Sequence, residues 1–445
     1  MPKNALDMIK ENYTEFSKYT VVHRSYPNVY DGLTEVRRRC LYAAYKDAPA
    51  SMTKLSTLSG LVLAYHPHSS DGIAEVIINM TSKYICPFPL FDGKGNFGDL
   101  NNSASAPRYL ECKLNDIAKK LYFGLINEAP MDNFEVHDEP LYLPTLFPVA
   151  LLQGQYLIGN GTPNCLIPSL DFDDLKKFIL NYIKTGETKV TKQNFVKLSD
   201  YDMIDETNRD NSICDLLNRG SGTIKYVPNI EYDKKNGVIT LNNLYVLAKF
   251  ESLYSMLKFD IDADKIDVRD ESGEESVWVI EKVKNKSYDM DALVKRLKSK
   301  FTYRENYAMY FNDGIKSVKL YSLGEVISVC YEKYKEAYVN KLNKEIDVLC
   351  EQKMILECLA LMSEHTDIVV NNQISNDTKV KRIKAAINSE YNEYIIEKAL
   401  SKPIHMLKND KKVIAKLEQD IKNKQEKLQN ANQSIYDEVL SMLTY

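Results

Sequence analysis

The chain has 445 residues, 44% hydrophobic and 27% charged, which is ordinary for a soluble globular protein with two or three domains. No window approaches the roughly 18 consecutive apolar residues of a membrane span, and MPKNALDMIKENYTEF lacks the apolar core of a signal peptide, so no membrane association and a cytoplasmic location are expected. The net charge of −4 is uneven: residues 1–120 carry 15 Lys and Arg against 12 Asp and Glu, a mildly basic third ahead of an acidic remainder.

In chain order, the first expected helix lies in DGLTEVRRRCLYAAYKDA, where Val36, Cys40, Leu41 and Ala44 mark an apolar face. The opposite face is expected to carry Arg37, Arg38 and Arg39 as a solvated charge run. A second helix fits Lys54–Tyr65 and a third fits DGIAEVIINMTSKY, with Ile73, Val76, Ile77 and Met80 on one side. Short helices and tight turns with a basic helix among them suit a helix-turn-helix or winged-helix unit. After Gly154, GTIKYVPNIEYD and NGVITLNNLYV alternate like strands and are joined by the hairpin signal DKKNG. SVWVIEKV and MDALVKRLKSKF extend this α/β segment, which contains neither a dinucleotide glycine fingerprint nor a GxxxxGK[ST] loop.

From Leu323 the chain turns helical and charged. Tyr334, Tyr338, Leu342, Ile346 and Leu349 trace one stripe, and Leu407, Ile414, Leu417, Ile421 and Leu428 a second. Two long helices flanking a small globule at Gln352–Pro403 suggest an antiparallel coiled coil; a surface helix pair of no special role reads equally well from the pattern. The eight cysteines form no CxxC pair, which argues against a zinc site or a disulfide framework. His66 and His68 are the one close histidine pair, and no Cys or His cluster accompanies them as metal ligands. Asp262-Ala263-Asp264 spells an Asp-x-Asp, read as a chance surface match.

The motifs RSYPNVYDGLTEVRRRCLYA (24–43), YHPH (65–68), FDGKGNFG (91–98) and RYLE (108–111), with RGSGTIKY (219–226) and VRDES (268–272), stand in the order seen in one enzyme family. In these stretches the chain resembles the breakage–reunion component of type IIA DNA topoisomerases, known as the A subunit in gyrase and in topoisomerase IV. Its length most resembles the medium subunits of T-even-type phage topoisomerases. The resemblance implies a multidomain α+β fold: an N-terminal arm and winged-helix domain over 1–149, an α/β tower domain over 150–320, and a long antiparallel coiled coil over 321–445 with a helical dimerisation globule at about 352–403.

The resemblance also implies roles. Tyr109 stands at the nucleophile's place, Arg108 at that of a phosphate-binding arginine, Arg24 at a further active-site arginine, and His66 and His68 at the histidines beside the cleaved strand. A phenol of pKa near 10 needs a proton acceptor, and the phosphate needs its charge neutralised. Whether either histidine takes the proton or only positions DNA stays open at this level. Arg37, Arg38, Arg39 and Lys54 are expected to contact the DNA backbone, and Ile158 to wedge between base pairs. Asp71 and Glu75 fall at the quinolone-site positions, with Ser69-Ser70 replacing the family's Gly-Asp, and Thr34 replaces a common lysine. The expected partners are double-stranded DNA, a second copy of the chain, and a Toprim/ATPase subunit that brings both Mg²⁺ and ATP. No terminal wrapping domain is expected, so strand passage rather than wrapping-driven supercoiling is anticipated. A catalytically silent DNA-binding or architectural protein of the same fold is the competing expectation.

Overall fold

The computed structural model describes residues 4–67, 69–83, 85–99, 102–134, 137–157, 163–242, 250–272, 276–284, 287–314, 317–371, 373–387, 391–402 and 411–442. His68, Ile158 and Leu407, each singled out above, lie outside the described residues. Two compact units are present, Met1–Tyr334 with Met442–Tyr445, and Lys335–Ser441.

The first unit begins with α1 (Ala5–Thr20), capped by the Asn4 side chain, and a single π-helical turn at Val21–Ser25. Then come α2 (Glu35–Lys46), β1 (Thr53–Lys54), α3 (Leu55–Val62), α4 (Ser70–Thr81), β2 (Phe91–Lys94) and β3 (Glu111–Leu114). The three helices α2, α3 and α4 pack on one another, and β1, β3 and β2 form an antiparallel sheet with β3 central. Ile73, Ile77 and Met80 are buried at the expected helical spacing, and Val76 is half-buried. The helix expected from Lys54 starts at Leu55, because Lys54 is the strand partner of Glu111.

Helix α2 departs from the expectation of a solvated arginine face. Arg38 and Arg39 are buried together with the whole of Cys40–Ala44, and Arg37 is half-buried. Arg38 and Arg39 lie on the enclosed side of the helix, and each finds a carboxylate inside the protein. Preceding α2, Gly32 sits at φ +69°, where a Cβ would come within 2.6 Å of the Val149 and Ala150 amide nitrogens. Glycine is required there by both conformation and space.

The unit continues through α5 (Asp116–Phe123), the hairpin β4 (Met131–Phe134) and β5 (His137–Pro140), and α6 (Val149–Gln153). The strands β6 (Gln155–Leu157), β7 (Cys165–Ile167), β8 (Ser221–Tyr226), β9 (Asn229–Asp233), β10 (Val238–Asn242), β11 (Ile266–Asp270), β12 (Val277–Lys282) and β13 (Tyr303–Ala308) build two four-stranded sheets. Their orders are β6-β7-β13-β8 and β11-β12-β10-β9. Between β7 and β8 the chain forms α7 (Phe172–Thr185), capped by the Asp171 side chain, and α8 (Arg209–Arg219), which packs on β8. The DKKNG signal does close a hairpin, β9 against β10, with the Asp233 carboxylate accepting from the Lys235 and Asn236 amides. GTIKY does not extend that hairpin. It pairs antiparallel with β13 in the other sheet, because Val227-Pro228 interrupts the strand and proline cannot donate to a ladder. The β9–β12 sheet is covered by α9 (Phe250–Asp262) and α10 (Met290–Lys300), whose Leu253, Leu257, Leu293 and Leu297 close on Trp278 and Ile280. Asp262 and Asp264 lie exposed where α9 ends, with Asp264 at φ +55° closing the turn.

The long helix α11 (Leu323–Met362) leads into the second unit, where α12 (Thr366–Val370), α13 (Asn376–Ala386), α14 (Glu393–Leu400) and α15 (Lys411–Gln429) follow. Ion pairs join α11 to α15, Glu345–Lys424 at 2.5 Å and Lys353–Glu418 at 2.9 Å. Rising numbers along one helix meet falling numbers along the other, so the two run antiparallel. At the end of α11, Ile355, Leu359 and Met362 form a separate apolar cluster with Ile383 of α13, Ile396 of α14 and their neighbours. Among the described residues no helix is long and apolar enough to cross a membrane.

Candidate active site

Arg108 and Tyr109 occupy a one-turn 3₁₀ helix, Pro107–Tyr109, whose Tyr109 amide donates to the Ala106 carbonyl at 2.9 Å. Pro107 opens that turn, where a fixed φ near −65° is favourable and a missing N–H costs nothing. Immediately after it, Leu110, Cys112 and Leu114 are buried and anchor β3 at the centre of its sheet. The pattern leaves Tyr109 64% exposed on a rigid mount. The Arg108 guanidinium carbon stands 4.8 Å from the Tyr109 ring centroid, a cation–π contact.

One glycine of FDGKGNFG makes room for this turn. Gly95, at φ +116°, passes so close that a Cβ would lie 2.9 Å from Leu110 Cδ2 and 3.4 Å from the Tyr109 carbonyl oxygen. Lys54 in β1 and Lys94 in β2 flank Glu111 across β3. Lys54 Nζ bonds Glu111 at 2.8 Å, and that hydrogen bond, with the lysine's charge, holds the Glu111 pKa below its ordinary value. Helix α3 packs on the Pro107–Tyr109 turn, with the Leu55 amide donating to the Leu110 carbonyl at 2.9 Å.

At its other end α3 leads to His66, which is half-buried, and here a second set of charges converges. Arg39 Nε donates to Glu139 Oε2 and Arg39 Nη2 to Glu139 Oε1, both at 2.7 Å. Arg39 Nη1 reaches His66 Nδ1 at 2.8 Å. Burial works against the Arg39 charge, but the Glu139 bonds and charge outweigh it and raise its pKa. Arg38 is likewise raised despite its burial, through Asp31. That carboxylate is fully enclosed and accepts from Arg38 Nε at 2.7 Å, Arg38 Nη2 at 3.2 Å, the Leu33 amide at 2.9 Å and the Leu143 amide at 3.0 Å. Arg37 has no such match: it donates to Gln153 Oε1 at 3.4 Å, and burial lowers its pKa. Glu35 is hydrogen-bonded to His23; burial alone would raise its pKa, but His23, Arg39 and Arg38 together lower it.

Arg24 is exposed on the π-helical turn with its guanidinium carbon 5.8 Å from the Tyr19 ring. Asp71 and Glu75 are exposed on α4, and Ser69 caps that helix by accepting from the Gly72 amide at 3.4 Å. Asp71 in the first turn suits the helix dipole. Thr34 is buried at the N-cap position of α2. The structure thus brings together Arg108 with Tyr109, Lys54 with the strand bearing Tyr109, and Arg39 with His66. Sequence reasoning missed Glu139, Asp31, Glu35 and Glu111. Asp31-Gly32 carries a turn signal that marks the position without revealing its partner; Glu139, 100 residues from Arg39, carries none. Among the described residues no cluster of three or more His, Cys, Asp or Glu is placed to hold a metal ion.

Comparison with known proteins bears on the whole chain. The DNA gyrase A subunit of Borrelia hermsii is 26% identical over 406 residues, covering 87% of this chain and 49% of that protein. The DNA gyrase A subunit of Rickettsia typhi is 25% identical over 413 residues, covering 86% and 44%. The DNA topoisomerase 4 A subunit of Borreliella burgdorferi is 30% identical over 183 residues, 40% of this chain and 28% of that protein. The chain spans about half the length, or less, of these curated relatives. The family model for the A subunits of DNA gyrase and topoisomerase IV matches residues 24–444, and the chain belongs to that family.

Proposed function

We propose that this chain is the DNA cleavage–religation subunit of a type II topoisomerase, with Tyr109 as nucleophile. The observation that carries the reading is the exposed Arg108-Tyr109 turn fixed to the central strand of a packed sheet. In the proposed step a bond forms between Tyr109 Oη and phosphorus while the bond from phosphorus to O3′ breaks. The phenolic proton ends on O3′, leaving a 5′-phosphotyrosyl strand and a free 3′-hydroxyl, and religation runs the same step backward. Arg108 and Arg24 neutralise the non-bridging oxygens through charge-assisted bonds. Lys54, and the wedge proposed for Ile158, hold and bend the duplex through its backbone and shape.

One tyrosine cuts one strand, so a double-strand gate needs two copies about a two-fold axis. The proposed division is an arm and winged-helix domain over 1–149, a tower over 150–320, and a coiled coil over 321–445 whose globule pairs the copies. A Toprim/ATPase subunit is proposed to supply Mg²⁺ and ATP, in the cytoplasm. Within the family we favour the phage-type medium subunits. The test is reconstitution with that partner, Mg²⁺ and ATP on interlinked closed circles of DNA, followed by denaturant trapping. Expected are covalent 5′ adducts and decatenation with wild type and neither with Tyr109→Phe; adducts that persist in Tyr109→Phe overturn the assignment.

A further inference from the structure

We propose that the open face of the β1–β3–β2 sheet is a phosphate-binding row beside Tyr109. In it Lys54, Lys94 and Lys113 take DNA backbone phosphates flanking the cut, and Glu111 is the counter-ion that Lys54 exchanges for phosphate. The inference rests on the proposed function for the presence of DNA at Tyr109, and on geometry for the row. Leu110 is already extended, at φ −95° and ψ 145°, and is buried with Cys112 and Leu114. Alternation along an extended chain therefore sends Tyr109, Glu111 and Lys113 to the opposite, open side. Glu111 follows Tyr109 by two residues, a step of about 7 Å along a strand.

Strand register completes the row. Lys54 of β1, Glu111 of β3 and Lys94 of β2 form one rung, with the carboxylate between the two lysines. The next rung on the same side pairs Lys113 with Asp92, whose carboxylate lies 3.4 Å from Lys113 Nζ. Three ammonium groups thus stand with two carboxylates on the side that carries Tyr109. The Lys54 side chain is 50% exposed and bonds Glu111 at 2.8 Å. Lys94, exposed at the end of β2, acts on Glu111 through its charge. An ion pair open to water contributes little to stability and is screened by salt, so trading the carboxylate for a phosphate oxygen is easy. Glu111 stays ionised throughout, because the Lys54 bond, then the Lys54 and Lys94 charges, hold its pKa below the ordinary value. Alone it would repel a phosphate backbone; set between two lysines, it regulates how readily Lys54 is released to one.

Fluorescence anisotropy of the full chain alone on a short blunt duplex, between about 50 and about 200 mM salt, tests the row without partner or metal. Expected in Lys94→Gln, and likewise in Lys113→Gln, is a slope of log K against log salt shallower by about 0.9 per chain, with binding several-fold weaker. Lys177→Gln, at an exposed lysine of α7, should leave the slope unchanged. Glu111→Gln should tighten binding, and that gain should vanish when Lys54→Gln is added. Unchanged slopes in both Lys94→Gln and Lys113→Gln overturn the row; lysines that only solvate the sheet edge behave so. A Glu111→Gln gain that persists undiminished with Lys54→Gln overturns the exchange. Thermal melts that match wild type separate lost contacts from lost folding. If covalent adducts form with the partner while the slopes stay put, the row fails and the functional reading stands. If the slopes fall as expected but no adduct ever forms, the row stands and the functional reading fails. A wild-type chain that binds no duplex removes both.

Discussion

Replacing Asp31 by alanine should destabilise the first unit more than any surface change. Asp31 is fully buried and bonds Arg38 through contacts of 2.7 and 3.2 Å, while also accepting the Leu33 and Leu143 amides. Removing one partner of a buried ion pair costs about 3–5 kcal/mol, because a charge is left without a counter-ion. Each orphaned amide adds about 1–3 kcal/mol where water cannot reach it. Relaxation makes these costs overlap, so about 4 kcal/mol is the expected loss. Replacing both residues, Asp31→Leu with Arg38→Met, should recover much of it, since no charge is then stranded. Native-state hydrogen exchange of the α2 amides is the assay, because it reads this unit locally. A loss of about 4 kcal/mol corresponds to exchange about a thousandfold faster. Exchange in Asp31→Ala within about tenfold of wild type would refute the claim that this pair holds α2 in the interior.

Gly32→Ala should cost at least about 2 kcal/mol in the same assay, from the left-handed backbone and the 2.6 Å approach to two backbone nitrogens; near-neutral behaviour would contradict the close packing of α6. Glu35 has its pKa lowered from 4.5, so its stabilisation is present above that value and is lost as pH falls through the lower folded value. Urea unfolding followed from about pH 7 to about pH 3 should therefore show a shallower acid limb in Glu35→Gln, and an identical limb would refute the coupling to His23. Arg108→Ala should weaken DNA binding by the chain and reduce the salt slope by about one phosphate contact; an unchanged slope would place Arg108 off the backbone.

Local features of this fold were readable from residue order, and long-range pairings were not. Ile73, Ile77 and Met80 fall on one buried face because helical periodicity needs only neighbours. DKKNG closes its turn because Asp233 caps its own loop. Arg37-Arg38-Arg39 looked like a solvated run because the matching carboxylates are elsewhere in the chain: Asp31 seven residues back from Arg38, Glu139 a hundred residues on from Arg39. The partner of GTIKY, β13, is as distant, so the nearer hairpin was the natural but mistaken continuation. Within the site, RYLE and FDGKGNFG could be placed by motif. The fork from Glu139 through Arg39 to His66 needed coordinates, because no spacing rule links a hairpin to a helix so far ahead of it in the chain.

With 30 tyrosines in the chain, the most direct measurement is the identity of the one that becomes linked to DNA. Trapping the reconstituted wild-type enzyme on 3′-labelled duplex, digesting both polymers and sequencing the nucleotide-bearing peptide by mass spectrometry gives that identity. The expected peptide contains Arg108-Tyr109-Leu110 with a phosphodiester on Tyr109. A modified peptide from any other tyrosine, or a 3′-phosphate linkage, would contradict the central claim.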